Sequence, residues 1–236
     1  LAVDADTGAY RWHYQTTPRD RWDYTATQQI TLADLPLGED GANRRVVMQA
    51  PKNGFFYVLD AADGELISAT PFTAQNWTTG EFDENGRPEL VEEAVDLALY
   101  AVVPGPTGAH NWHPMAFNPD TGLVYIPVNE IPFFYDKTRN VEDSKSFWNI
   151  GYDAAAGWPV EYPAGTLDAV RDLDGGSLLA WDPVKAEPRW AVPFPLPLNG
   201  GVLSTQAGLV FQGNKFGDLV AYDAETGERL WSHKLV

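Results

Sequence analysis

Side chains that could carry chemistry are densest at residues 12–29, WHYQTTPRDRWDYTATQQ, where aromatics, two arginines and two aspartates crowd together. Asp23 lies between Trp22 and Tyr24. A carboxylate held against aromatic walls is desolvated and therefore more basic, as a general base must be. Asp is also a common turn and capping residue, and from this stretch alone the turn role is the stronger reading. Asp20 is the rival carboxylate, and a structural loop role suits it better. His110 and His113 form an H-x-x-H pair. With no third ligand at a suitable spacing, the pair reads as packing rather than as a metal site. His13 and His233 fall in or beside a repeat and read as structural.

The repeat is what must position these groups. Apolar residues, Asp, a short turn, in most copies Gly, and then an aromatic recur as LAVDADTGAYRW at 1–12, YVLDAADGELIS at 57–68, LAWDPVKAEPRW at 179–190 and VAYDAETGERLW at 220–231. Ser68 stands where the second copy would have its Trp. A related hairpin, FNPDTGLVYIPV, runs from 117 to 128. The pattern is that of a β-hairpin, with Asp capping the turn and Gly at the positive-φ position. Self-similarity at this spacing, with several short strands per unit, predicts an all-β fold, a β-propeller of four-stranded antiparallel blades.

About four blade-like units fit the chain, and both ends cut into a repeat. The expectation is one partial domain over 1–236, an open arc of a larger propeller, with insertions near 73–108 and 129–176. Helical spacing is expected only over 89–99, ELVEEAVDLAL. An arc exposes apolar faces that a closed ring would bury, so the isolated chain is expected to aggregate or to bind hydrophobic dyes.

With 16 basic and 33 acidic residues the net charge is −17. Such a field repels phosphate backbones and anionic headgroups, which disfavours nucleic acid and membrane surfaces as partners. The chain has no Cys, which excludes disulfides, thiolate metal sites and covalently attached haem within it. No apolar run approaches the ~18 residues of a membrane span.

Four stretches in series, WHYQTTPRDRWDYTATQQITLADL, APKNGFFYVLDAADGELI, GAHNWHPMAFNPDTGLVYIPVNE and NGGVLSTQAGLVFQGNKFGDLVAYDAETGERLW, together resemble the C-terminal part of the propeller in the PQQ-dependent alcohol dehydrogenases, the quinoprotein methanol and ethanol dehydrogenase family. The resemblance covers nearly the whole chain. It implies an arc of an eight-bladed propeller that holds pyrroloquinoline quinone (PQQ) and a Ca²⁺ or lanthanide ion on its axis. Trp22-Asp23-Tyr24 matches the family's catalytic motif, which makes Asp23 the base that takes the alcohol proton while hydride passes to the quinone. Lys52, in PKNG, matches a cation that hydrogen-bonds the quinone oxygens, and Asn111, in HNW, matches an amide on the cofactor. Asn199, before Gly200 and Gly201, aligns with a loop that reaches the cofactor, although relatives often place a Trp there. Lanthanide-type members carry a second Asp where this chain has Thr25, which favours Ca²⁺.

The family's Ca²⁺ ligands, vicinal disulfide and floor Trp belong to earlier blades. The chain is thus expected to hold no metal ligand and about half of a cofactor site. The resemblance further implies a periplasmic enzyme that oxidises primary alcohols and passes electrons to a cytochrome c or a quinone. The alternative is a non-catalytic propeller scaffold, which would need no convergence of Asp23, Lys52 and Asn111.

Overall fold

A computed structural model describes residues 1–96, 98–136 and 175–235. β1 (Ala2–Val3) and β2 (Tyr10–Trp12) pair as a hairpin. β3 (Thr31–Leu35), β4 (Arg44–Gln49), β5 (Phe55–Asp60) and β6 (Leu66–Pro71) make the first complete blade, antiparallel and in chain order. A hairpin of β7 (Thr78–Phe82) and β8 (Pro88–Leu90) follows, then the short helix α1 (Glu92–Asp96) and β9 (Ala98–Val102). β10 (Ala116–Asn118) and β11 (Leu123–Asn129) begin the second blade, and β12 (Phe133–Asp136) turns back to pair with β9. β13 (Gly176–Asp182) and β14 (Glu187–Phe194) complete that blade. β15 (Val202–Ser204), β16 (Leu209–Gly213), β17 (Asp218–Asp223) and β18 (Arg229–Lys234) form the third.

The described residues therefore hold three complete four-stranded blades, and β1–β2 matches by sequence the third and fourth strands of each. The helix expected over 89–99 shrinks to Glu92–Asp96. On either side, Pro88–Leu90 and Ala98–Val102 are strands. Leu, Tyr and Val there suit a pleated, half-buried surface better than a helix. Residues 137–174 of the second insertion lie outside the described residues.

The repeat residues act as their types require. Each repeat Asp caps its turn: Asp4, Asp60, Asp182 and Asp223 accept backbone N–H bonds from the residues two or three positions on. The Trp of one unit lies on the hairpin of the next. The Trp12 indole donates to Ala61 O (3.2 Å) and that of Trp190 to Ala224 O (3.1 Å). A Cβ on Gly64 would sit 2.4 Å from the Trp12 ring, and one on Gly227 would sit 2.7 Å from the Trp190 ring. Only glycine permits this approach, and both positions also need a positive φ.

Apolar residues of facing blades fill the space between them. Phe56, Val58, Val46 and Met48 of the first blade meet Val124, Ile126, Leu179 and Trp181 of the second. Tyr125, Leu178 and Ala180 pack against Val210, Val220 and Tyr222 of the third. On the other face of β5, Phe55 and Tyr57 pack with Trp22, Tyr24 and Trp77. That last cluster carries the segment on which Asp23 lies.

Candidate functional site

Residues 13–30 run from β2 to β3 without regular structure, so side chains must fix their course. Trp22 and Tyr24 are 0% and 2% exposed. Their rings lie 5.6 and 5.5 Å from that of Trp77, the Tyr24–Trp77 pair edge-on. The Trp22 indole donates to Ala94 O at 3.2 Å, and the Tyr24 hydroxyl donates to Pro104 O. Asp20 Oδ1 accepts the Trp22 N–H at 2.9 Å, a turn contact. Between the two buried rings, Asp23 takes φ +64°. Asp tolerates this left-handed conformation better than most residues. The twist sends both aromatics into the core and the carboxylate away from it.

Asp23 is thus not walled in by its aromatic neighbours. Its side chain is 64% exposed, so the desolvation expected from the sequence is not what this structure provides. Lys52 provides the contact instead. It lies in the loop between β4 and β5, with its side chain 7% exposed. Its Nζ donates to Asp23 O (2.8 Å) and to Asp23 Oδ2 (2.9 Å). A buried ammonium needs such partners, because burying an unpaired charge is costly.

Two neighbouring features hold Lys52. A Cβ on Gly108 would lie 2.3 Å from Lys52 Cγ, so the lysine stem rests directly on the Gly108 backbone. The Ala109 N–H donates to Lys52 O at 2.9 Å. Next to Lys52, Asn53 is fully buried. It donates to Thr16 O, Thr17 Oγ1 and the Tyr57 hydroxyl at 2.9–3.2 Å, and it accepts from the Phe55 N–H. The PKNG loop is thereby tied to the same segment that bears Asp23.

Asn111 is buried, and its amide closes its own loop, donating to Thr107 O (2.8 Å) and accepting the Trp112 N–H (2.9 Å). Asn199 is also buried, donating to Leu196 O (2.8 Å) and accepting the Lys215 N–H (3.1 Å). Neither amide is hydrogen-bonded to Asp23 or Lys52. Asn111 follows the Gly108–Ala109 shelf under Lys52, and Asn199 follows Leu198, whose N–H is held by the Asn129 side chain at 2.7 Å.

His110 is fully buried, with both ring nitrogens 2.7 Å from carbonyl oxygens, those of Ala50 and His113. A neutral imidazole can donate to only one of them. Burial is the largest influence on His110 and pushes its pKa down, while the two carbonyls act in the opposite direction. The ring is committed to backbone, bracing the loops of Lys52 and Asn111. His113 stacks on Trp112 at 5.0 Å. Among the described residues no three His, Cys, Asp or Glu side chains are grouped to hold a metal.

The sequence missed Asn53, Asn129 and the bracing role of His110. The signal for Asn129 was present: it ends the otherwise apolar strand LVYIPVN, in which every residue is buried.

The family model described as "Glucose/ethanol/alcohol dehydrogenase, beta-propeller domain" matches residues 1–81, and that of "Outer membrane protein assembly factor BamB" matches 170–236. The quinohemoprotein alcohol dehydrogenase ADH-IIG of Pseudomonas putida is 48% identical over 240 residues, covering 98% of this chain and 32% of that protein. ADH IIB from the same species is 49% identical over 233 residues, with 98% and 32% covered. The crystal structure of the quinohemoprotein alcohol dehydrogenase of Comamonas testosteroni superposes with a TM-score of 0.81 at 44% identity, over 98% of this chain and 34% of that one. The chain spans about a third of the length of the curated relatives it matches.

Proposed function

We propose, on the premise that these blades are a propeller segment of the PQQ-dependent alcohol dehydrogenase family, that the chain supplies the base and one wall of the cofactor site of an enzyme oxidising primary alcohols to aldehydes. The observation that carries the reading is the 2.9 Å contact between Lys52 and Asp23, which lie 29 positions apart. Neither belongs to the repeat, and a scaffold has no use for their convergence.

The residues present suit an anionic, carbonyl-rich quinone. Lys52 has three N–H bonds, of which two meet Asp23. The Thr107 hydroxyl and the Gln75 amide are buried without hydrogen-bond partners among the described residues. Gln75 borders Gly54 of the PKNG loop, and Thr107 lies in the Asn111 loop. Buried polar groups of this kind call for a ligand or ordered water. PQQ, when bound, supplies the two-electron oxidation that no side chain performs. Asp23, whose side chain is accessible, receives the hydroxyl proton of the alcohol. The Lys52 cation stabilises the charge of the carboxylate and of an electron-rich neighbour. Lys52, Asn111 and Asn199 would hold the cofactor.

Ca²⁺ is part of the proposal, with Thr25 rather than a second carboxylate supporting it over a lanthanide. So are electron transfer to a cytochrome c or a quinone and a periplasmic site of action. The scaffold reading draws on the BamB match over 170–236, a stretch without Asp23, Lys52 or Asn111.

The test is dye-linked ethanol oxidation by the full-length protein loaded with PQQ and Ca²⁺. Asp23→Asn should lower kcat by roughly 10²–10⁴-fold with little change in melting temperature. Retained turnover would remove Asp23 from its role.

A further inference from the structure

Asp23, Lys52, Asn111 and Asn199 come from four separate loops, and among them the first two are joined by hydrogen bonds. One buried side chain joins the others. Asn129 is 3% exposed and ends β11 after six buried apolar or aromatic positions. A Leu or Val there would continue the strand's own pattern, so the amide must answer to polar partners. Its Oδ1 accepts the Leu198 N–H at 2.7 Å, and its Nδ2 donates to Gly108 O at 3.4 Å. Its own backbone N–H donates to Ala109 O at 2.7 Å. The orientation of the amide follows from these partners, since an N–H needs the oxygen and a carbonyl needs the nitrogen.

Both ends of this clip are places that need holding. Gly108 and Ala109 are the shelf on which the Lys52 stem and carbonyl rest. Leu198 has φ +60°, a conformation that a non-glycine residue keeps only when its surroundings impose it. The residue after it is Asn199.

We propose that Asn129 is a positioning residue for the quinone site, fixing the Lys52 shelf and the Leu198–Asn199 loop relative to each other. It is hydrogen-bonded to neither Asp23 nor Lys52 and acts through Gly108, Ala109 and Leu198. The assignment of the ligand rests on the function proposed above; the clip itself does not.

The experiment has two arms, both on the full-length protein. Amide hydrogen exchange in Asn129→Ala should show faster exchange at Leu198 than in the parent, with the blade strands unchanged. Equal exchange at Leu198 would overturn the clip. Titration of the apo-protein with PQQ, followed by the quinone absorbance, should show binding weakened on the order of tenfold in Asn129→Ala.

Asn129→Asp sharpens the result. Ionised, it repels the Gly108 carbonyl; protonated, it offers one donor and one acceptor, as Asn does. A carboxyl buried at this position has a raised pKa. The binding defect of Asn129→Asp should therefore shrink between about pH 8 and about pH 5, while that of Asn129→Ala stays constant relative to the parent. Parent-like PQQ affinity in Asn129→Ala, or a defect in Asn129→Asp with no pH dependence, would overturn the positioning role. A parent that binds no PQQ but shows the Leu198 effect would sink the functional reading and leave the clip standing.

Discussion

Two kinds of seam join neighbouring units, and they differ on the repeat Trp. Between β1–β2 and the first blade, and between the second and third blades, an indole lies on a bare glycine and donates to a backbone carbonyl. Between the first and second blades the Trp position holds Ser68 and the glycine position holds Ala186. The two losses belong together. A hairpin that receives no indole can keep a Cβ, so Ala186 persists at φ +54° despite the strain. The middle seam makes up the contact inside, where Trp181, 2% exposed, packs against Phe56 at a ring separation of 5.8 Å. Trp and Gly thus vary here as one unit, and aromatic area lost at one end of the repeat is regained at the other.

The strongest way to break this comparison is to remove an indole. Trp190→Ala should destabilise the chain by about 2–3 kcal/mol, through lost burial and the loss of one of the two hydrogen bonds to the Ala224 carbonyl, whereas Ser68→Ala should fall within about 0.5 kcal/mol of the parent. Equal effects in denaturant titrations would mean the seams do not differ.

A smaller contrast comes from the turns. Gly227→Ala must push a Cβ into the Trp190 ring and should cost about 2 kcal/mol, while Ala186→Gly relieves a positive φ and should be neutral or stabilising by up to about 1 kcal/mol. Opposite signs in the same melts are the check.

The least effect is expected from acid. The Asp4 carboxyl is held down at about 2, first by Arg11 and then by Thr7. Asp60 is lowered chiefly by Arg44, and Asp223 by Thr226. A depressed folded pKa means stability that is present above the ordinary carboxylate value and lost as pH falls through the folded one. For Asp4 that window runs from 3.8 down to about 2. These turns are exposed and the loss per group is small, so a shallow decline of melting temperature over that range is expected; a rise would contradict it.

The repeats were legible because a capped turn is local chemistry: Asp, Gly and the spacing to Trp act within a dozen residues. The same locality misled at 89–99, where acidic residues at helical spacing outweighed the strand formers on both sides. The site was only partly legible. Asp23 and Lys52 stand out through their motifs, yet nothing local indicates that φ +64° turns the carboxylate away from Trp22 and Tyr24. Asn53 was invisible for a different reason. Asn is common in loops, and burial is a property of what other segments bring, so a buried amide reads as a turn residue until its partners are known.

Trp12 closes β2, and the very next residues set out toward Asp23. The indole seated on Gly64 is therefore also the anchorage from which the segment bearing Asp23 is paid out. Under the proposed function, a lesion at this outer contact, remote from the reacting atoms, would slacken that segment and be felt as a misplaced carboxylate, so that wear at a structural joint would read in an assay as a chemical fault.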